Sequence, residues 1–285
     1  MRIKCYHPFT PVSVTGPECE LSCAHCGGHY LEHMIDVRGP SQLISAGGRI
    51  RGKGQGILLS GGFTAEGVLP LSPFLRAAAE LRATGCLINA HVGLVSSETE
   101  AIKIKGAVDF VSAEIVGSVR TIREVFGLRA TPRDYIETIK RLQGVGIRVV
   151  PHITAGIQYG KLLGERSAIR ALGELKPQVL VFNVLRPTPG TRMGKVRPPP
   201  PEVVGELIEL ARRLLPQTEL ALGCMRPAHG RRELEALALR KGVSRFALPL
   251  RETTELARSM GYTVEEVEAC CALPTEFEDR LNRVV

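Results

Sequence analysis

The chain has 285 residues, 44% of them apolar, enough for one large domain or two small ones around a buried core. Its formal net charge is +8, but the Lys and Arg residues are dispersed and only 5% of the chain is aromatic, which argues against a concentrated nucleic-acid-binding surface. No apolar run approaches the roughly 20 residues that span a bilayer, and Met1-Arg-Ile-Lys-Cys5 lacks the apolar stretch of a secretory leader, so a cytoplasmic, membrane-free protein is expected.

Strand-like apolar runs alternate with helix-like stretches. Val12 to Thr15 reads as a first strand, broken by Gly16-Pro17. Residues 28–47 are helical in pattern, Gly56 to Ser60 reads as a second strand ending in Gly61-Gly62, and Ser72-Pro73 opens a helix over 71–84. Cys86 to Ala90 is a third strand, with Asn89 and His91 at its close, and Val108 to Ala113 a fourth, ending at Glu114. A helix over 133–143 precedes a fifth strand that starts at Arg148 and carries His152. Val179 to Asn183 is the sixth, followed by a stiff proline-rich loop from Arg186 to Pro201. Helix 202–214, strand Glu219 to Leu222, helix 231–241, strand Arg245 to Leu248 and helix 251–260 complete the alternation. Right-handed βα units in this rhythm predict an α/β fold, a TIM-type (β/α) barrel, full or partial. Residues 1–260 are expected to form the barrel domain, and residues 261–285 a tail that closes over the barrel mouth.

Directly after the first strand, Cys19, Cys23 and Cys26 form a Cys-x3-Cys-x2-Cys array on one loop. Eight cysteines in a reducing compartment point to metal or redox chemistry before disulfides. Three thiolates so close in sequence can hold three irons of a cubic iron–sulfur cluster, leaving the fourth iron open to bind and reduce a substrate. A zinc site and a disulfide are the competing readings, but zinc favours two matched Cys or Cys/His pairs, which are not found.

The array and its place after a first strand resemble the radical S-adenosylmethionine superfamily. That resemblance implies a 4Fe-4S cluster on Cys19, Cys23 and Cys26, with S-adenosylmethionine bound to the open iron and cleaved to a 5′-deoxyadenosyl radical. The residue before the last cysteine is usually aromatic there and is His25 here. Ser60, Gly61 and Gly62 resemble the glycine motif whose backbone meets the methionine amino group; on their own they read equally well as an ordinary turn. Glu114 resembles the polar position that contacts methionine or ribose, and is otherwise a solvated loop residue. His152 resembles a position near adenine, against an alternative as a packed barrel histidine. Pro189, within Pro187-Thr-Pro-Gly-Thr191, resembles a segment of the biotin and lipoyl synthase branch that lines the adenine side.

Of the other cysteines, Cys86 reads as a small core residue and Cys5 as either buried or free. Cys224, in Gly223-Cys-Met-Arg-Pro227, and the vicinal Cys270-Cys271 of the tail are candidate ligands of an auxiliary iron–sulfur cluster; a redox pair is the alternative for the latter two. The whole chain resembles one subunit of the two-protein lipoyl synthases. This implies sulfur insertion into an octanoyl chain on a carrier-protein lysine, a second radical S-adenosylmethionine subunit as partner, and an electron donor such as ferredoxin. The alternatives are a radical enzyme of another reaction type with one cluster, or a non-enzymatic iron–sulfur or zinc protein. An ordinary solvated surface accounts for the positive charge, as would an acidic protein partner or anionic ligands. Abundant Arg, Glu, Pro and Leu suggest a heat-adapted source.

Overall fold

The computed structural model describes residues 2–7, 9–50 and 56–281. In chain order it runs β1 (Arg2–Tyr6), β2 (Thr10–Ser13), β3 (Ile35–Asp36), α1 (Pro40–Ile50), β4 (Gly56–Ser60), α2 (Leu75–Ala83), β5 (Leu87–His91) and α3 (Glu98–Ala107). Then follow β6 (Phe110–Glu114), α4 (Val119–Phe126), α5 (Pro132–Gly144), β7 (Arg148–Ala155), α6 (Glu165–Leu175), β8 (Val179–Val184) and α7 (Pro201–Leu214). The last elements are β9 (Glu219–Leu222), α8 (Arg231–Arg240), β10 (Arg245–Ala247), α9 (Arg251–Ser259), β11 (Thr263–Val267) and α10 (Thr275–Leu281).

All pairings between these strands are parallel, in the order β11-β1-β10-β9-β8-β7-β6-β5-β4-β2-β3. The sheet curls into a TIM-like α/β barrel. Its two flanks are tied covalently, because only residues 7–9 separate β1, beside β10, from β2, beside β4.

Side-chain alternation along each strand gives the barrel two cores. On β5, Ile88 and Ala90 pack outward into the large cluster shared with the helices, while Leu87 belongs to a second cluster inside the barrel. The same parity puts Phe110, Val150, Val179, Val181, Ala221 and Ala247 inside, and Val111, Val149, Leu180, Leu220 and Phe246 outside. Continuing it toward the strand ends, Ser60, Asn89, His91, Ser112, Glu114, His152, Thr154 and Asn183 line the upper lumen. The lumen is apolar where the strands begin and polar where they end.

Helix starts follow local chemistry. Ser97 and Ser118 cap α3 and α4 by accepting the amides of Glu100 and Thr121, and Thr131 with Asp134 forms a capping box before Pro132 at α5. Residues 28–47 do not form the continuous helix that their pattern suggests. A short 3-10 turn at His29–His33 and the two-residue β3 come first, after Gly27 and Gly28 at φ 51° and 84° turn the chain.

The C-terminal segment differs most from expectation. It contains β11 and α10, and it closes the barrel at the end where the strands begin, not at the mouth. Ala269, Cys271, Ala272 and Leu273 are buried in the inner apolar cluster with Tyr6, Phe110 and Val179, and the Phe277 ring stacks on Phe110 at 6.0 Å. The physical reason is charge as well as shape. Arg245 is fully buried at the start of β10 and donates to the Leu273 carbonyl at 2.6 Å, Thr275 Oγ1 at 3.0 Å and Glu278 Oε1 at 3.0 Å. Lys4 also bonds Glu278, and Arg148 bonds Glu276 at 2.6 Å. Cations at the starts of three strands therefore meet the acids of α10, and apolar side chains fill the space between.

Replacing Arg245 by Met should release this plug. Leaving Glu278 without its buried partner is expected to cost about 3 kcal/mol and to expose residues 263–281 to limited proteolysis. An unchanged urea midpoint with a protease-resistant C-terminus would contradict the assignment.

Candidate active site

The three cysteines of the first array lie on the loop that leaves β2, at the end of the barrel opposite the plug. The loop is seated by backbone contacts. Thr15 Oγ1 donates to the Glu18 carbonyl at 2.8 Å and accepts the Gly62 amide at 2.7 Å. The Phe63 amide donates to Cys19 Sγ at 3.4 Å. A Cβ on Gly62 would stand 1.8 Å from the Glu18 carbonyl oxygen and 2.6 Å from Cys19 Cα. The structure thus shows a packing role for this glycine: it lets the cysteine loop lie against the end of β4.

Ala24, between the second and third cysteines, is buried with Val125, Ile157, Leu185 and Met193. Its amide donates to the Val125 carbonyl at 2.8 Å, and its carbonyl accepts the Met193 amide at 3.2 Å. The proline-rich loop after β8 therefore braces the cysteine loop, with Thr191 close to Gly27 and Gly190 close to His29. Pro189 itself is exposed on the outside of this brace. Tyr30, which the sequence does not single out, ties the two loops through its hydroxyl and Thr188 Oγ1 at 3.1 Å.

A ligand atom from each of Cys23, His25 and Cys26 lies within 4.8 Å of the other two. The Cys23 thiol hydrogen-bonds Cys26 and, with His25 nearby, pushes the Cys26 thiol well below its ordinary value, while Cys23 is pushed up by the same bond and by burial. His25 Nδ1 is buried without a hydrogen-bond partner, and its ring meets Phe126 edge-on at 5.5 Å. All eight cysteines are free. An orphaned donor atom beside a stabilised thiolate is a site built for a ligand.

Beneath this loop lies the polar lumen. Burial raises Glu114 to about 7, although Thr154 Oγ1 donates to its Oε1 at 3.0 Å. Burial also lowers His91 to about 4 and His152 to about 3, so both imidazoles are neutral near pH 7. Their rings meet edge-on at 5.9 Å. His152 Nδ1 donates to the Val150 carbonyl at 3.0 Å, which leaves its Nε2 as an acceptor. His91 Nδ1 stands 3.5 Å from Ser60 Oγ, and Asn89 Nδ2 bonds Ser112 Oγ at 2.9 Å. Strand parity is the signal that identifies Asn89, His91 and Thr154. Nothing comparable marks Tyr30.

Of the other candidate cysteines, Cys270 reaches the lumen at Asn89, Cys271 is buried in the apolar plug and Cys224 is exposed on the turn after β9. Asn89 Nδ2 donates to Cys270 Sγ at 3.8 Å, Cys271 hydrogen-bonds Cys270, and Cys224 lies close enough for its charge to act on Cys271 and for that of Cys270 to act on it. Burial is the main cause that raises Cys224, yet its side chain remains accessible, so it lines a concave surface. The turn that carries Cys224 is held by Arg226, buried at 5% exposure, which bonds Glu235 at 2.8 Å and the Ala247 carbonyl at 2.6 Å. His229 is exposed on the same turn. Cys5 is fully buried in β1 and Cys86 half-buried before β5.

No family model and no curated protein match this chain. Among solved structures, methylornithine synthase aligns over 98% of this chain and 86% of its own, with a TM-score of 0.67 at 13% identity. The FeFe-hydrogenase maturase HydG from Carboxydothermus hydrogenoformans aligns over 97% of this chain and 70% of its own, with a TM-score of 0.67 at 16% identity. HMG-CoA lyase from Brucella melitensis aligns over 99% of this chain and 95% of its own, with a TM-score of 0.55 at 12% identity. At these identities the likeness is one of fold. A synthase, a maturase and a lyase share it, so activity has to be argued from the site. Among the described residues no helix is long and apolar enough to cross a membrane.

Two outcomes are expected. Gly62→Ala should destabilise the protein by at least about 2 kcal/mol and disturb the Cys19 thiol, whereas Gly48→Ala, which meets nothing within 4 Å, should not. The pH dependence of stability should separate the buried groups. The depressed histidines give stability above pH 6.5 that is lost as pH falls toward 4, while the raised Glu114 gives stability at low pH that is lost as pH rises toward 7. Glu114→Gln removes the opposing contribution, so urea unfolding of the metal-free variant should lose stability more steeply between pH 7 and 5. An unchanged slope would place Glu114 in water.

Proposed function

We propose that this chain is a radical S-adenosylmethionine enzyme; the observation that carries the reading is the loop of Cys19, Cys23 and Cys26 at the mouth of a polar lumen beside Glu114. The donor set fits an iron–sulfur cluster. All three thiols are free, Cys26 favours the thiolate, and the buried Nδ1 of His25 lacks a partner beside them. Cys19 stands outside the close group of Cys23, His25 and Cys26, its sulfur held by the Phe63 amide at 3.4 Å. With S-adenosylmethionine, such a cluster supplies a hydrogen-abstracting radical, a chemistry beyond acid–base side chains.

The chain's own residues bind, orient and shield. Cys19, Cys23 and Cys26 would hold the irons. Glu114, fixed through Oε1 by Thr154, offers its other oxygen to a hydroxyl or ammonium group of the cofactor. The acceptor nitrogen of His152 would offer a further polar contact, while the Ser60 carbonyl and the Gly62 amide are already engaged by Val14 and Thr15. From below, the C-terminal plug excludes water from the lumen.

The finer reading is sulfur insertion of the lipoyl synthase type. It is favoured by Cys270, whose sulfur accepts from Asn89 at 3.8 Å inside the barrel; with the adjacent Cys271 and with Cys224 it would hold an auxiliary cluster. The substrate would then be an octanoyl chain on a carrier-protein lysine, with a second radical S-adenosylmethionine subunit as partner and a ferredoxin-like reductant. A single-cluster radical enzyme is the second reading. It is favoured by the burial of Cys271 in the apolar plug, among Ala269, Ala272 and Leu273.

Anaerobic reconstitution followed by dithionite and S-adenosylmethionine tests the first reading. The wild-type protein should release 5′-deoxyadenosine, and the Cys19→Ala, Cys23→Ala, Cys26→Ala variant should release none. Absence of product from the iron-loaded wild type would overturn it. Iron content separates the finer readings: about eight irons, falling to about four in the Cys224→Ala, Cys270→Ala, Cys271→Ala variant, supports two clusters. About four in both supports one.

A further inference from the structure

The mouth of the barrel is divided by charge. The loops that leave β7, β8, β9 and β10, residues 156–164, 185–200, 223–230 and 248–250, contain no Asp or Glu. They carry five exposed cations, Lys161, Arg186, Arg192, Lys195 and Arg197. Across the mouth, the loops that leave β2 and β4 and the end of β3 expose Glu18, Glu20, Glu32, Asp36 and Glu66. Their one exposed Arg, Arg38, bonds Asp36 at 3.1 Å and Glu18 at 3.3 Å. The rim is therefore basic over one half and acidic over the other.

The lumen beneath is different again. On the strands, the inward cations Lys4, Arg148 and Arg245 all stand at strand starts, where Glu276 and Glu278 of the plug engage them. The upper lumen offers serine, threonine, asparagine, neutral histidine and Glu114, but no Lys or Arg among the described residues. An anionic group has no counter-charge inside and five at the rim.

We propose that the β7–β8 side of the rim is a docking face for an acidic protein, which stays outside while an uncharged group reaches into the lumen. The cations are spread over two loops and do not converge on one point, as a small phosphate or carboxylate would require. A nucleic acid, uniformly anionic, would meet the acidic half of the same mouth, and Tyr159 is the only Phe, Tyr or Trp in the two loops that carry the cations. A protein face can match both halves, because its own charges need not be of one sign. The loop from Arg186 to Arg197 is rigid through its prolines and its bonds to the cysteine loop, so docking there would hold the partner in register with the mouth. This inference needs only the charge arrangement and stands apart from the radical chemistry.

Binding of fluorescent poly-L-glutamate and of a single-stranded oligonucleotide of equal charge, measured at low and moderate salt on the full chain, tests it. Lys161→Glu, Arg192→Glu, Lys195→Glu, Arg197→Glu should weaken polyglutamate binding at least tenfold. Four matched reversals elsewhere, at Lys103, Lys105, Arg213 and Arg240, should change it less than twofold. Circular dichroism and the urea midpoint confirm that both variants fold. Bound polyglutamate should also slow alkylation of the accessible Cys224 thiol by iodoacetamide, a neutral reagent. Equal loss in both variants would overturn the proposal by showing non-specific attraction. Tighter rim-dependent binding of the oligonucleotide would overturn it in favour of a nucleic acid. Rim-dependent self-association in sedimentation would overturn it in favour of a second copy of the chain.

Discussion

A parallel strand has two faces, and in this protein helices cover only one of them. The other face must be filled from inside the barrel, and the way it is filled decides where chemistry can occur. The C-terminal segment does the filling at the strand starts, where Leu273 and Phe277 meet Phe110 and Val179. It stops short of the strand ends, which leaves a polar lumen open to the loops above. Had the plug closed the mouth instead, the cysteine loop and Glu114 would face protein and not a cavity. Arg245 is thus linked to function without touching the site, because its buried bonds fix the end at which the barrel is closed.

The second constraint is close backbone approach. Gly62 admits the cysteine loop against β4, and the small side chain of Ala24 lets the loop settle onto the apolar cluster with Met193 and Val125. The donors are therefore presented by a seat built from three separate loops. Ser22, at φ 44°, carries part of that cost directly before Cys23. Rigid placement of this kind suits a group that has to keep one position open while its protein ligands stay fixed.

Much of this was legible in the sequence. The alternation of apolar runs with amphipathic stretches located β4 to β10 to within a few residues, because strands covered by helices must read as short apolar blocks. The cysteine array pointed to a ligand loop, and Asn89 and His91 were placed at a strand end, but which way they face is settled only by Leu87 packing inside and Ile88 and Ala90 outside. β1 was missed because Arg2-Ile-Lys-Cys-Tyr6 is short and half polar, and its partners β10 and β11 lie more than 200 residues away. The destination of the tail was missed for a similar reason. It depends on Lys4, Arg148 and Arg245 meeting Glu276 and Glu278, and no local pattern encodes a charge match over that separation. Tyr30 joins two loops that only the fold brings together.

The central claim is that Cys19, Cys23 and Cys26 hold a cluster with one position left for S-adenosylmethionine. Electron paramagnetic resonance of the reconstituted, dithionite-reduced protein tests it most directly. The account predicts a reduced-cluster signal whose g-values shift when S-adenosylmethionine is added, and which is lost when the three cysteines are replaced by alanine. A signal that ignores S-adenosylmethionine, or that survives loss of all three thiols, would contradict it.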